Sequence, residues 1–115
     1  MTGFTNLDLR VLNTPGNFMV LQDCHYVGTF EHIVPKGTVT DLASIPRGLK
    51  SFFSKTGKSR KAAVFHDHMY ASRWRTRKEC DQAFNEMLTE VGVGRFGRFF
   101  YYHGVRLGGW TRGKW

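Results

Sequence analysis

The pattern of hydrophobic and polar positions changes along the chain, from a period of two in the first third to a period near 3.6 in the second half. The runs NFMVLQD and HYVGTFEHIV are rich in β-branched and aromatic residues, and the turn-forming VPKGT follows them. This pattern predicts a small antiparallel sheet or meander up to about Val39. For residues 41–58 the sequence predicts a fixed loop with one short helix. The loop is expected to be extended around Ile45, because Pro46 holds Ile45 out of the helical region.

Three helices are predicted after this loop. The first starts at about Ser59, carries the apolar positions Ala62, Phe65 and Met69, and ends near Ser72. Thr76 and Glu79 have the T-x-x-E spacing of a capping box, which predicts the start of the second helix. Its predicted buried stripe is Cys80, Phe84, Met87, Leu88 and Val91, and Gly92 and Gly94 end it.

The third helix is predicted from about Arg95 to Leu107, and residues 108–115 then form a basic, aromatic tail. Its expected buried stripe is Phe96, Phe99, Phe100, His103 and Leu107. A sheet followed by three helices is an α+β arrangement. With 115 residues and 41% hydrophobic content, we expect a single domain with one core.

Composition adds a charge asymmetry to this picture. The net charge is +8, yet residues 1–54 carry four acids and four bases, so the whole excess lies in the second half. Such an asymmetry favours an anionic partner, which would be nucleic acid, a phospholipid surface or an acidic protein, or else it is a solvated face that maintains solubility. No apolar run is long enough to span a bilayer, so we expect no transmembrane segment. Cys24 and Cys80 match no ligand spacing and are interpreted as packing thiols, although one bridge between them stays open.

The first two helices carry the chemistry that the hydrophobic pattern does not explain. His66 and Tyr70 are four residues apart and share one face, whereas Asp67 is turned about 100° away. At 1.5 Å per residue, His66 lies roughly 9 Å before the interhelical turn and Asp81 roughly 7.5 Å after it, so the two are nearly level. A histidine held by a buried carboxylate can activate water or a hydroxyl, but the same pair can equally serve only to satisfy two polar groups between packed helices.

Several motifs then match a known family. The strings GTVTDLASIPR, KAAVFHDHMY, RKECDQAFNEML and GRFFYYHGVRLGGW resemble a family of small proteins of tailed bacteriophages and prophages that is catalogued as a domain of unknown function. The resemblance covers about Thr38 to Trp110. It implies a tail or other virion-associated protein that is made in the cytoplasm of the bacterial host and whose partners are other tail or baseplate proteins.

The helical hairpin alone is also similar to the catalytic core of phospholipase A2 enzymes. That resemblance implies that His66 is a base, that Tyr70 and Asp81 orient it, and that Asp67 binds Ca²⁺, with Asp41 as a substitute ligand for the missing calcium loop. A zinc version would use Asp41, His66, Asp67 or His103, and its spacing matches no known zinc signature.

Three functions follow as hypotheses. The first is a virion-associated hydrolase that acts on host envelope lipid or peptidoglycan through His66 and Asp81. The second is a purely structural tail or baseplate subunit, and the third, which we rank lowest, is a nucleic-acid-binding protein. The expected binding or interface residues are Arg47 in the loop and Arg95, Arg98, Arg106, Trp110, Arg112 and Trp115 near the C-terminus.

Overall fold

The computed structural model describes residues 3–12, 17–40 and 60–112. The chain divides into two compact units, a strand unit of Met1–Leu42 and a helical unit of Ala43–Trp115. The predicted loop at 41–58 lies outside the described residues, and with it Asp41 and Arg47. The expectation of a single domain stays a prediction.

The strand unit contains six short strands, which pair antiparallel throughout. One three-stranded sheet has the order β1-β4-β5 and the other has the order β2-β3-β6. The strands are β1 Gly3–Phe4, β2 Leu9–Val11, β3 Phe18–Val20, β4 Cys24–Val27, β5 Glu31–Val34 and β6 Val39–Thr40. The predicted antiparallel pairing is therefore confirmed, and its strands are distributed over two sheets.

Alternation along β4 and β5 determines which side chains of the first sheet are buried. Cys24 and Tyr26 are buried in β4, and they pair with Val34 and His32 in β5, which are buried as well. The ring of Tyr26 lies 4.6 Å from the ring of Phe4. Since side chains alternate between the two faces of a strand, these residues form one apolar face, and His32 is part of its packing.

The helical unit contains α1 Arg60–Ser72, α2 Arg77–Glu90 and α3 Arg95–Arg112. The α+β class is thus confirmed. Thr76 is the N-cap of α2, and its Oγ1 accepts a hydrogen bond from the Glu79 backbone N–H at 3.1 Å, as the capping-box spacing predicted. Gly92, with φ +87°, adopts the left-handed conformation that lets the chain leave α2.

Helix α2 packs against both α1 and α3. The predicted stripes of the first two helices are buried, except that Val91 is half-buried and lies just beyond the end of α2. None of the described helices combines the length and the apolar character that crossing a bilayer requires.

The prediction for the third helix was wrong in two respects. The helix continues to Arg112, five residues beyond the predicted end. Its buried residues are Tyr101 and Val105, whereas the expected stripe is exposed: Phe96, Phe99, Phe100, His103 and Leu107. Aromatic residues occur on more than one side of this helix, so periodicity alone did not identify the side that meets α2.

Candidate functional site

Asp81 is the centre of a buried polar cluster that joins the three helices. Nε2 of His66, on α1, lies 2.6 Å from Oδ1 of Asp81, and the Tyr70 hydroxyl donates to the same oxygen at 2.6 Å. Arg106, on α3, donates from Nη1 to Oδ2 at 3.1 Å. The level placement of His66 and Asp81 that the helix rise predicted is therefore present in the fold.

The carboxylate determines how its neighbours are protonated. An ionised carboxylate only accepts hydrogen bonds, so we assign the proton of the His66 ring that faces it to Nε2. Burial raises the pKa of Tyr70, and the hydrogen bond to Asp81 raises it further. Tyr70 is thus a neutral donor at physiological pH, which fits the orienting role predicted for it.

Burial distinguishes the members of the cluster. The side chains of His66 and Asp81 are both 0% exposed, Tyr70 is half-buried, and the Arg106 side chain is 30% exposed. The His66 ring is also packed between aromatic rings, with centroids 4.3 Å from Tyr70 and 4.7 Å from Phe84. The carboxylate thus has a hydrogen bond on each oxygen and a cation beside it, which is what a buried charge requires.

Arg106 was the member that sequence reasoning placed elsewhere. We predicted it as an interface residue, together with Arg95 and Arg98, because all three lie among aromatics in an acid-free segment. Its guanidinium instead contacts Asp81, and its backbone oxygen accepts a hydrogen bond from Nη1 of Arg77 at 3.1 Å. The sequence indicated that a buried Asp81 needs a partner, but it did not indicate which of several arginines would supply the positive charge.

Asp67, the predicted metal ligand, is half-buried on α1. Its negative charge opposes the lowering of the His68 pKa that burial causes. Within the described ranges, no three His, Cys, Asp or Glu side chains form a group that could hold a metal ion. The predicted partner Asp41 is not described, so we derive no step through Ca²⁺ or zinc.

The two cysteines are separate thiols. Neither Cys24 nor Cys80 forms a disulfide, and both are buried, as packing residues would be. Burial raises the pKa of Cys80 to about 11, and the neighbouring acids contribute to this shift. A thiol with such a pKa is almost wholly protonated at neutral pH and is a poor nucleophile.

The remaining predicted interface residues lie on or beyond α3. Arg95 is exposed and Arg98 is half-buried, and both line a surface pocket between α2 and α3. Trp110 and Arg112 lie in the last turns of the helix, where only the backbone is described, and Trp115 is outside the described residues. The predicted basic, aromatic tail of residues 108–115 is thus helical as far as Arg112.

Comparison with known proteins places this chain in an uncharacterised family. No curated protein and no solved structure matches the chain. A family model with the description "Protein of unknown function (DUF1353)" matches residues 18–105, which include His66, Tyr70, Asp81 and the start of α3. The match covers well over half of the chain, and we conclude that the chain belongs to this family of unknown function.

Proposed function

We propose that this protein is a small structural subunit of a tailed-bacteriophage particle, which acts by docking through its helical unit. In this proposal the His66 and Asp81 cluster holds the three helices together and performs no chemistry. The phage context is supported by the resemblance of T-D-L-A-S-I-P-R, H-D-x-x-Y and D-x-x-F to proteins of tailed phages. The protein would be made in the host cytoplasm and would then join the tail or baseplate.

The observation that carries this proposal is the burial of the His66 and Asp81 side chains, each 0% exposed. A general base must come within about 3 Å of the proton that it abstracts, directly or through one water. In the described part of the helical unit, the large apolar side chains that are exposed to solvent lie on α3, away from the buried His66 and Asp81. Exposed apolar patches of this kind are typical of binding surfaces.

Particles of a phage that encodes this chain provide the test. We expect mass spectrometry of purified particles to detect the protein. We also expect a Tyr70→Phe phage to keep normal infectivity, because the variant retains the fold and loses one hydrogen bond of a structural cluster. His66→Gln should likewise support infection at any temperature at which the variant is folded. Absence of the protein from particles would contradict the virion role, and loss of infectivity by folded, incorporated variants would contradict a purely structural cluster.

A second candidate is a hydrolase that acts on the host envelope. The observation that favours it is the 2.6 Å contact between His66 and Asp81, with Tyr70 on the same carboxylate oxygen. In this candidate His66 is the base, Asp81 and Tyr70 orient it, and Asp67 binds a cation. Exposure of His66 would require a movement of the elements around it.

The hydrolase candidate is tested with phosphatidylglycerol vesicles and with peptidoglycan, each assayed with calcium and with zinc. Product that disappears in His66→Gln and persists in His68→Gln would establish this candidate. The second substitution is the matched control, because His68 lies on the same helix two residues away. Equal product from both variants, or no product from the wild-type protein, would reject catalysis by His66.

A further inference from the structure

The outer face of α3 carries a continuous line of exposed apolar side chains, which we call the aromatic stripe. It consists of Phe96, Phe99, Phe100 and Leu107, with exposed fractions of 81%, 58%, 61% and 65%. Their spacing places them on one side of the helix, away from the buried residues Tyr101 and Val105. His103 lies within the stripe, with its ring centroid 4.4 Å from that of Phe99.

Positive charge borders the aromatic stripe. From Val91 to Trp115 the sequence contains five arginine and lysine residues and no acid. Arg106 is engaged by Asp81, but Arg95 and Arg98 lie at the start of α3, beside the first phenylalanines of the stripe. A partner that complements this face of α3 must therefore present both apolar groups and negative charge.

A pocket of about 400 Å³ lies along the edge of the stripe, between α2 and α3. Its lining contains two guanidinium groups, two amides, a phenol and one phenylalanine ring, from Arg95, Arg98, Gln82, Asn85, Tyr102 and Phe99. One Arg98 nitrogen, Nη1, donates to the Val93 carbonyl at 2.9 Å, and this contact restrains the guanidinium. Among the residues that the structure describes, no carboxylate lines the pocket, so its chemistry favours an anion such as a phosphate group.

We propose that α3 binds the surface of an anionic phospholipid bilayer. The aromatic stripe enters the boundary between headgroups and acyl chains, and the pocket with Arg95 and Arg98 receives a lipid phosphate. Phe99 belongs to both features, so the apolar and anionic contacts are adjacent, as they are in a phospholipid. Helices with an apolar face and a basic border lie in the plane of the membrane interface and bury the apolar face by about 5–10 Å.

This inference deepens the proposed function, because it names the partner of the docking surface. Two other occupants fit the observations less well. Nucleic acid would satisfy the arginines but would leave Leu107 and most of the stripe without an apolar partner. A second copy of this chain would bring the same positive charges together.

The test is co-flotation with vesicles of phosphatidylcholine, with and without phosphatidylglycerol. We expect binding to the anionic vesicles that weakens as salt is added. The double variant Phe96→Ser/Phe100→Ser should reduce affinity at least about tenfold, since each buried phenylalanine contributes a substantial hydrophobic free energy. Arg95→Gln should reduce it by about fivefold, as expected for one interfacial cation.

Matched control substitutions test whether the loss of vesicle binding is specific to the aromatic stripe and to the arginines beside it. Ile33→Ser removes an exposed apolar side chain from the strand unit, and Arg60→Gln removes an exposed cation from α1. Both should bind as the wild type does. The stripe variants should keep the wild-type circular dichroism and melting temperature, because the replaced side chains are exposed.

Several outcomes would overturn the inference. These are no binding to either vesicle, equal binding to both, full competition by inorganic phosphate, or a dimer in solution that the stripe variant converts to a monomer. Salt-sensitive binding to DNA that requires the stripe would assign the surface to nucleic acid instead. If the chain is found in particles but ignores vesicles, the proposed function stands and this inference fails. If the chain binds vesicles but is absent from particles, this inference stands and the proposed function fails.

Discussion

Arg106 on α3 donates a hydrogen bond to Oδ2 of Asp81 on α2 across 3.1 Å, and thereby places a cation beside a carboxylate whose side chain is 0% exposed. The two residues are 25 positions apart in sequence. The contact connects α3 to the pair formed by His66 and Asp81, so one carboxylate joins all three helices. Together with the burial of Tyr101 and Val105, it defines which side of α3 faces α2.

Replacement of Arg106 by Gln should destabilise the helical unit. Removing one partner of a fully buried ion pair costs about 3–5 kcal/mol, and we expect about 2 kcal/mol here because the Arg106 side chain is 30% exposed to solvent. Urea denaturation followed by circular dichroism measures the free energy of unfolding. Arg95→Gln is the control on the same helix and should change it by less than about 0.5 kcal/mol. Equal effects of the two substitutions would show that Arg106 does not stabilise Asp81.

Replacement of Tyr70 by Phe removes the second donor to Oδ1 of Asp81 and keeps the ring that packs beside His66. We expect a loss of about 1.5–3 kcal/mol, the range for a hydrogen bond to a charged group. Tyr102→Phe is the matched control, since Tyr102 is half-buried on α3 and lies outside the Asp81 cluster. A double-mutant cycle with Arg106→Gln should show coupling, because both residues bind one carboxylate. Strict additivity would contradict a shared cluster.

Replacement of Thr76 by Ala should remove the capping box of α2. The Thr76 hydroxyl accepts from the Glu79 backbone N–H, and its loss should cost about 1 kcal/mol. Thr89 provides the control on the same helix, because its hydroxyl donates to the Asn85 carbonyl within the helix at 2.9 Å. Thr89→Ala should have little effect, since alanine has the higher helix propensity. Thermal unfolding of both variants decides the comparison.

The stability of the helical unit should depend on pH through His68. Burial lowers the pKa of His68 from its usual 6.5, and the Asp67 charge offsets this only in part. As pH falls through 6.5, the unfolded chain therefore binds a proton before the folded chain does, and the free energy of unfolding decreases until the folded pKa is passed. His68→Asn should reduce this dependence in urea titrations at pH values on both sides of 6.5. Thr76→Ala, which replaces a group that does not titrate, should lower stability equally at each pH.

The sequence by itself determined the features that depend on neighbouring residues. The T-x-x-E spacing identified the start of α2, and Ala62, Phe65 and Met69 identified the buried face of α1, because capping and helical periodicity act over a few residues. The level placement of His66 and Asp81 was also predictable, since a short turn between antiparallel helices leaves little freedom in their register.

The tertiary structure decided the features that depend on choices among similar residues. The segment from Phe96 to Tyr102 contains aromatic side chains on several sides of α3, and burial of any of these sides satisfied the periodic pattern. Packing against α2 selected Tyr101 and Val105, left the phenylalanines exposed and brought Arg106, rather than another arginine, to Asp81. The physical reason is that hydrophobic burial has no direction of its own. The rotation of α3 is determined only when a specific neighbouring surface and a buried charge become available to it.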